Sequence, residues 1–167
     1  GDVIGFRAPR ANLKNLGLRS IAPEFVPRSE YILRVVLGPQ DDAFTKEGLD
    51  TFLGQTYTVT PEFDRMGCRL DGPVIQHVES GDIISDGISF GAIQVPAAGK
   101  PIIMLCDRQT TGGYTKIATV ISADFRLLAQ LKAGDKLRFQ RVTIQHAQDA
   151  LLTQRAALRA LRSSVGM

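Results

Sequence analysis

The sequence predicts a mainly β protein, closed or nearly closed into a barrel. Three observations carry that expectation. About eight short apolar or alternating segments run through the 167 residues, glycine-rich bends separate them, and strands and helices do not alternate as βαβ units would require. Two short helical stretches and a C-terminal helix are left over to cover open ends or a side of the barrel.

Residues 1–30 are rich in Arg, Pro, Asn and Gly without a sustained period. They read as an extended lead-in from a missing N-terminal region, ahead of one barrel domain over 31–167. The first strand is 31–37 (YILRVVL), stopped by Gly38 and Pro39. Asp41 or Asp42 then caps a helix that gathers Phe44, Leu49, Phe52 and Leu53 on one side, with Gly48 expected to break it in two. The alternation of 55–60 (QTYTVT) gives a strand, and 63–72 (FDRMGCRLDG) places two arginines four apart with glycines at its bends.

Short apolar pieces follow at 74–78 and 83–84, Asp86-Gly87 gives a hairpin signal, and 89–95 resumes the sheet. The run 102–106 (IIMLC) suits a strand buried on both faces, with Cys106 read as a small buried hydrophobe. A β-branched and aromatic strand containing Tyr114 comes next. Asp124 is expected to cap a short helix carrying Phe125, Leu128 and Leu131, and 136–142 alternates as a half-exposed strand. The last element, about 144–162, is helical: Ile144, Ala147, Leu151, Leu158 and Leu161 share a stripe, and late arginines complement the helix dipole.

Composition excludes several function classes. Net charge is +3 and laid out unevenly, acidic over 41–86 and basic from 136 onward. The chain has no Trp, and its C-terminal arginines are not interleaved with aromatics, so no nucleic-acid partner is expected. No apolar run reaches the roughly 18 residues of a membrane span, so no membrane partner is expected either. Two distant cysteines found no disulfide framework, which makes a reducing cytoplasm the default. P-loop, dinucleotide-binding and nucleophile-elbow signatures are absent, and His77 and His146 show no metal-ligand spacing, so no metal site is expected.

What remains is a polar constellation. Between the IIMLC run and the Tyr114 strand, residues 107–113 (DRQTTGG) supply an anion, a cation, an amide, two hydroxyls and two residues free to adopt positive φ. A structural turn and a ligand-facing loop both satisfy that composition. Arg65, Arg69 and Arg108 can each clamp an anion through two hydrogen bonds, although an arginine taken singly is more often spent on a salt bridge than on a direct role. Gln94 offers both donors and acceptors, and Asp107 is a candidate base or orienting group. Thr110, Thr111 and the amides of Gly112 and Gly113 could line an anion nest. Cys68, beside Arg65 and Arg69, is a candidate for a lowered thiol pKa.

The segments LGPQDDAF, VTPEFDRMGCRL, SDGISFGAIQVPAAGKPIIMLCDRQTTGGYTKIATVISAD and LAQLKAGDKLRF resemble the family of the C subunit of 5-oxoprolinase, also called allophanate hydrolase subunit 2 or biotin-dependent carboxyltransferase. The likeness runs from about 31 to 142, and DRQTTGGY is its most specific motif. It implies a cyclophilin-like barrel working beside a sister barrel, the B subunit, and a third component, the A subunit, in ATP-dependent opening of 5-oxoproline to glutamate. The N-terminal V-Q-D-x-G-R-like opening of that family is not found here. Alternatives implied by the same likeness are the biotin-dependent carboxyltransferase step on urea and a regulatory module antagonising a kinase inhibitor. Carried onto this chain, Asp107 and Arg108 are the expected catalytic pair, Asp107 holding Arg108 in place. A small amide or lactam substrate would then meet Arg65, Arg69, Gln94, Gln109, Thr110, Thr111, Gly112, Gly113 and Tyr114.

Overall fold

The computed structural model describes residues 30–164, so most of the expected lead-in over 1–30 lies outside the described residues. Eight strands form: β1 (Glu30–Leu37), β2 (Tyr57–Phe63), β3 (Gly67–Asp71), β4 (Asp82–Gly87), β5 (Ala92–Val95), β6 (Ile102–Met104), β7 (Thr111–Val120) and β8 (Lys136–Arg141). Their order is β1-β8-β2-β3-β6-β5-β7, and β7 pairs back onto β1 through Val35 opposite Val120. Seven strands therefore close a barrel, and β4 is appended to the outside of β7. The fold class is as expected.

Alternation decides which face each strand buries. In β1 the inward residues Leu33 and Val35 are fully buried, and in β8 Leu137 and Phe139 do the same. Cys68 of β3, Ile103 of β6 and Ile93 of β5 are consecutive cross-strand partners, and all three are fully buried in the main core. Helix α1 (Lys46–Gly54) sets Phe52 on that core, its ring stacked on Phe139 with centroids 4.4 Å apart. The short α2 (Phe125–Leu128) adds Leu128, and α3 (Ile144–Ser164) is the C-terminal helix.

Several local expectations are corrected. Thr45, not Asp41 or Asp42, caps α1: its hydroxyl accepts from the Gly48 amide at 2.9 Å, while the two aspartates sit in a separate 3-10 turn, Asp41–Ala43. Gly48 does not break the helix; it lets α1 press against neighbouring backbone, since a Cβ there would stand 2.3 Å from the Gln76 carbonyl oxygen. The apolar piece 74–78 forms no strand and makes one bridge, His77 opposite Phe44. Asp86 and Gly87 do not turn a hairpin into β5; they pair with Gly112 and Thr111 at the start of β7.

Asp124 makes no helix-capping hydrogen bond. Its carboxylate instead accepts from the Arg34 backbone amide at 2.9 Å and from the Arg34 guanidinium at 3.0 and 2.5 Å, tying β1 to the chain after β7. The cysteines are reversed: Cys106 is exposed and Cys68 is the buried one. Burial pushes the Cys68 thiol up to about 12, so the neighbouring arginines do not lower it.

Candidate functional site

The site lies on the outer wall of the barrel rather than at its rim. Because Cys68, Ile103 and Ile93 point inward, the adjacent cross-strand row Arg69, Ile102 and Gln94 must point outward. A second apolar cluster, Ile88, Ala92, Met104 and Ile102, lies apart from the main core. Over this row opens a cavity of about 550 Å3. Its apolar wall is Phe63, Met66, Ile102 and Met104, and its polar lining is Glu62, Asp64, Arg69, Gln94, Gln109 and Tyr114.

Gln94 is the chemically telling member. It is 4% exposed, it lies on a strand buried at every position, and its Nε2 has no hydrogen-bond partner. A buried amide N–H left unsatisfied costs about 1–3 kcal/mol, so a ligand oxygen in the cavity would restore what burial removed. Gly112 makes room for it: a Cβ there would come within 3.1 Å of Gln94 Nε2 and 2.7 Å of Ile88 Cδ1. Gly112 and Gly113 thus serve β7 as close-approach positions. Neither has a positive φ, so the expected glycine nest does not form.

The β2–β3 turn supplies one side. Asp64 Oδ1 accepts from the Met66 and Gly67 amides at 2.8 and 2.9 Å, which folds the hairpin tip over the cavity. Arg69 Nε stands 3.4 Å from Glu62 Oε2, with both side chains more than half exposed. An ion pair so exposed contributes little, so the guanidinium is free to turn to an incoming anion at small cost.

The loop after β6 is held by backbone and side chains together. Leu105 N donates to the Met66 carbonyl and Asp107 N to the Arg65 carbonyl, both at 2.9 Å. Arg65 then grips Asp107 through Nε at 2.8 Å and Nη2 at 3.1 Å. Asp107 therefore pairs with Arg65, not with Arg108. Arg108 donates from Nε to the Ile88 carbonyl at 3.0 Å and from Nη1 to the Leu105 carbonyl at 3.2 Å, and its guanidinium lies 5.9 Å over the Phe90 ring.

Of the residues singled out from sequence, the cavity gathers Arg69, Gln94, Gln109 and Tyr114, with Gly112 directly behind Gln94. Arg65, Asp107, Arg108, Thr110, Thr111 and Gly113 are not among its lining. Thr110 meets the Ile88 amide through its carbonyl at 2.9 Å, and Thr111 opens β7 opposite Gly87. Sequence reasoning missed Glu62, Asp64, Phe63, Met66, Ile102 and Met104. The acids of PEFD beside two arginines were the signal available for the first two; the rest needed the strand register. Among the described residues no cluster of His, Cys, Asp and Glu could hold a metal ion.

Residues 1–141 match the model of the carboxyltransferase domain, subdomain A and B. The chain belongs to that family. Within the carboxyltransferase family it is 37% identical over 116 residues to the C subunit of 5-oxoprolinase from Haemophilus influenzae, covering 70% of this chain and 38% of that protein. It is 34% identical over 118 residues to the C subunit of 5-oxoprolinase from Escherichia coli, covering 71% and 38% respectively. The chain thus spans a little over a third of the length of these curated relatives. The solved structure of Kluyveromyces lactis urea amidolyase superposes with a TM-score of 0.70 at 26% identity, over 75% of this chain and 8% of that one. The carboxyltransferase barrel therefore has relatives in both a 5-oxoprolinase and a urea amidolyase.

Proposed function

We propose that this chain supplies a substrate-binding barrel to a cytoplasmic 5-oxoprolinase assembly that opens 5-oxoproline to glutamate with ATP, alongside the A and B subunits as partners. The observation that carries the reading is the unpartnered Nε2 of buried Gln94 facing a mixed polar and apolar cavity, in a chain similar to the C subunits of 5-oxoprolinases. A lactam carbonyl oxygen accepts from Gln94 Nε2. Arg69 leaves Glu62 to take the α-carboxylate in a charge-assisted bond. The ring methylenes rest on Phe63, Met66, Ile102 and Met104, while Gln109 and Tyr114 address the ring N–H. Polarisation of the carbonyl by a preformed donor is the contribution to ring opening.

Arg65, Asp107 and Arg108 act in this reading by holding the loop that carries Gln109, with Thr110, Thr111 and Gly113 fixing the start of β7. ATP is assigned to the assembly, since the sequence holds no phosphate-binding glycine loop. Similarity to urea amidolyase supports a second reading, a biotin-dependent carboxyl transfer to urea at the same cavity. Reconstituting the full-length protein with its sister subunits separates the two. ATP-dependent release of glutamate from 5-oxoproline is expected; carboxylation of urea by carboxybiotin, without glutamate release, would overturn the first reading in favour of the second.

A further inference from the structure

We infer that the outer-wall cavity is a clamp for an α-amino acid, Arg69 taking its carboxylate and Glu62 its ammonium; the identity of that amino acid, L-glutamate, rests on the reaction proposed above. Glu62 of β2 and Arg69 of β3 lie one step beyond the cross-strand pair Phe63 and Cys68, and both line the cavity. Glu62 Oε2 and Arg69 Nε stand 3.4 Å apart. The two charges of an α-amino acid sit on one carbon, so their partners must be close neighbours of opposite sign. This pair presents that arrangement. Being exposed, it parts at small cost, and each half can then make a charge-assisted bond to the ligand.

The cavity's charges favour a zwitterion over a plain anion. Among the described residues that line it, Glu62 and Asp64 are acidic and Arg69 alone is basic. Asp64 has Oδ1 committed to the Met66 and Gly67 amides. A lactam acid brings only a carboxylate, which draws Arg69 away and leaves Glu62 without a counter-charge. Ring opening supplies one. The C–N bond breaks, the water oxygen goes to the carbonyl carbon, and both water hydrogens end on the nitrogen as an ammonium. The ligand's net charge is unchanged, but a cation now stands on the carbon whose carboxylate Arg69 holds, beside Glu62. The new carboxylate lies where the lactam carbonyl was, at buried Gln94 with its unpartnered Nε2. Ile102 pairs with both Arg69 and Gln94, so two strand spacings, roughly 10 Å, separate their backbones. Side chains reaching in from both ends leave room for an acid the length of glutamate.

The test is isothermal titration of the reconstituted full-length assembly without ATP, with L-glutamate, glutarate and 5-oxoproline as probes. Glutarate is L-glutamate without its amino group. L-Glutamate should bind at least about tenfold tighter than glutarate. Glu62→Gln should weaken L-glutamate by at least about tenfold and leave 5-oxoproline binding equal or tighter, since Arg69 no longer has to part from an anion. A merely structural role for Glu62 would weaken both alike, and a thermal melt checks that this exposed substitution leaves the fold intact. Equal binding of L-glutamate and glutarate, or parallel losses of L-glutamate and 5-oxoproline in Glu62→Gln, overturns the inference. Binding of 5-oxoproline to the same wild-type preparation then leaves the proposed reaction standing. L-Glutamate bound with the expected selectivity while 5-oxoproline does not bind upholds the clamp and overturns the proposed reaction. No binding of any probe overturns both.

Discussion

The absent side chain of Gly112 and the buried amide of Gln94 are complementary: a Cβ on the one would stand 3.1 Å from Nε2 of the other. Gly112→Ala therefore crowds both the Gln94 amide and Ile88 Cδ1 at 2.7 Å. Because the methyl meets side chains rather than backbone, the barrel can absorb it by moving the Gln94 amide off position. The expected result is a raised KM for 5-oxoproline in the reconstituted assembly, by roughly tenfold for the loss of one hydrogen bond, with a thermal midpoint shifted by only a few degrees. Steady-state kinetics and a thermal melt of the same preparation check this.

Asp124 is 3% exposed and takes three hydrogen bonds from Arg34, one of them from backbone. Asp124→Ala leaves the Arg34 amide and guanidinium without their acceptor where β1 meets the chain leaving β7. Urea denaturation should show a loss of about 2–4 kcal/mol, reduced from the upper end because the Arg34 side chain is 29% exposed. A midpoint within error of wild type would mean that water replaces the pair.

Helix propensity and packing disagree at Gly48. Ala in a helix interior ordinarily stabilises by about 0.5–1 kcal/mol over Gly. A Cβ at Gly48, however, would lie 2.3 Å from the Gln76 carbonyl oxygen, and backbone does not step aside as a side-chain tip does. Gly48→Ala should destabilise by more than about 1 kcal/mol, whereas Gly54→Ala, with nothing within 4 Å of its Cβ, should be neutral or gain up to about 1 kcal/mol. Chemical denaturation of both variants gives the signs.

The strand set was legible because alternation survives wherever a strand has one wet face: β1 and β8 show it in full. What sequence concealed was non-local. The partner of β4 is β7 rather than its neighbour β5, and no turn motif encodes that choice. The cavity depends on which cross-strand row faces outward, a matter of register fixed only once the barrel closes. Arg108 looked like an anion clamp because sequence displays its charge and not the two carbonyls it serves. Gln94 was visible as an amide on a strand; that it is buried with an idle donor was not.

Thiol chemistry separates the two cysteines. Cys106 is exposed and should be alkylated by iodoacetamide in the folded protein at pH 8, while Cys68, fully buried, should react only on unfolding. The Cys68 thiol is pushed up to about 12 by burial, against about 8.5 in the unfolded chain. Above about pH 8.5 the unfolded state loses a proton that the native state keeps. The stabilising contribution is therefore whole below that pH and lost progressively up to about 12. Cys68→Ala should flatten that alkaline decline; mass spectrometry of labelled peptides and denaturation across pH check both statements.

The most direct test of the outer-wall site is the kcat/KM for 5-oxoproline of the reconstituted assembly carrying Gln94→Ala, measured beside wild type with assembly and melting temperature monitored. If the idle Nε2 donates to the substrate carbonyl, kcat/KM falls by at least about tenfold while assembly is intact and the melt is unchanged or raised, since an unsatisfied buried donor has been removed. A kcat/KM equal to wild type would contradict the account.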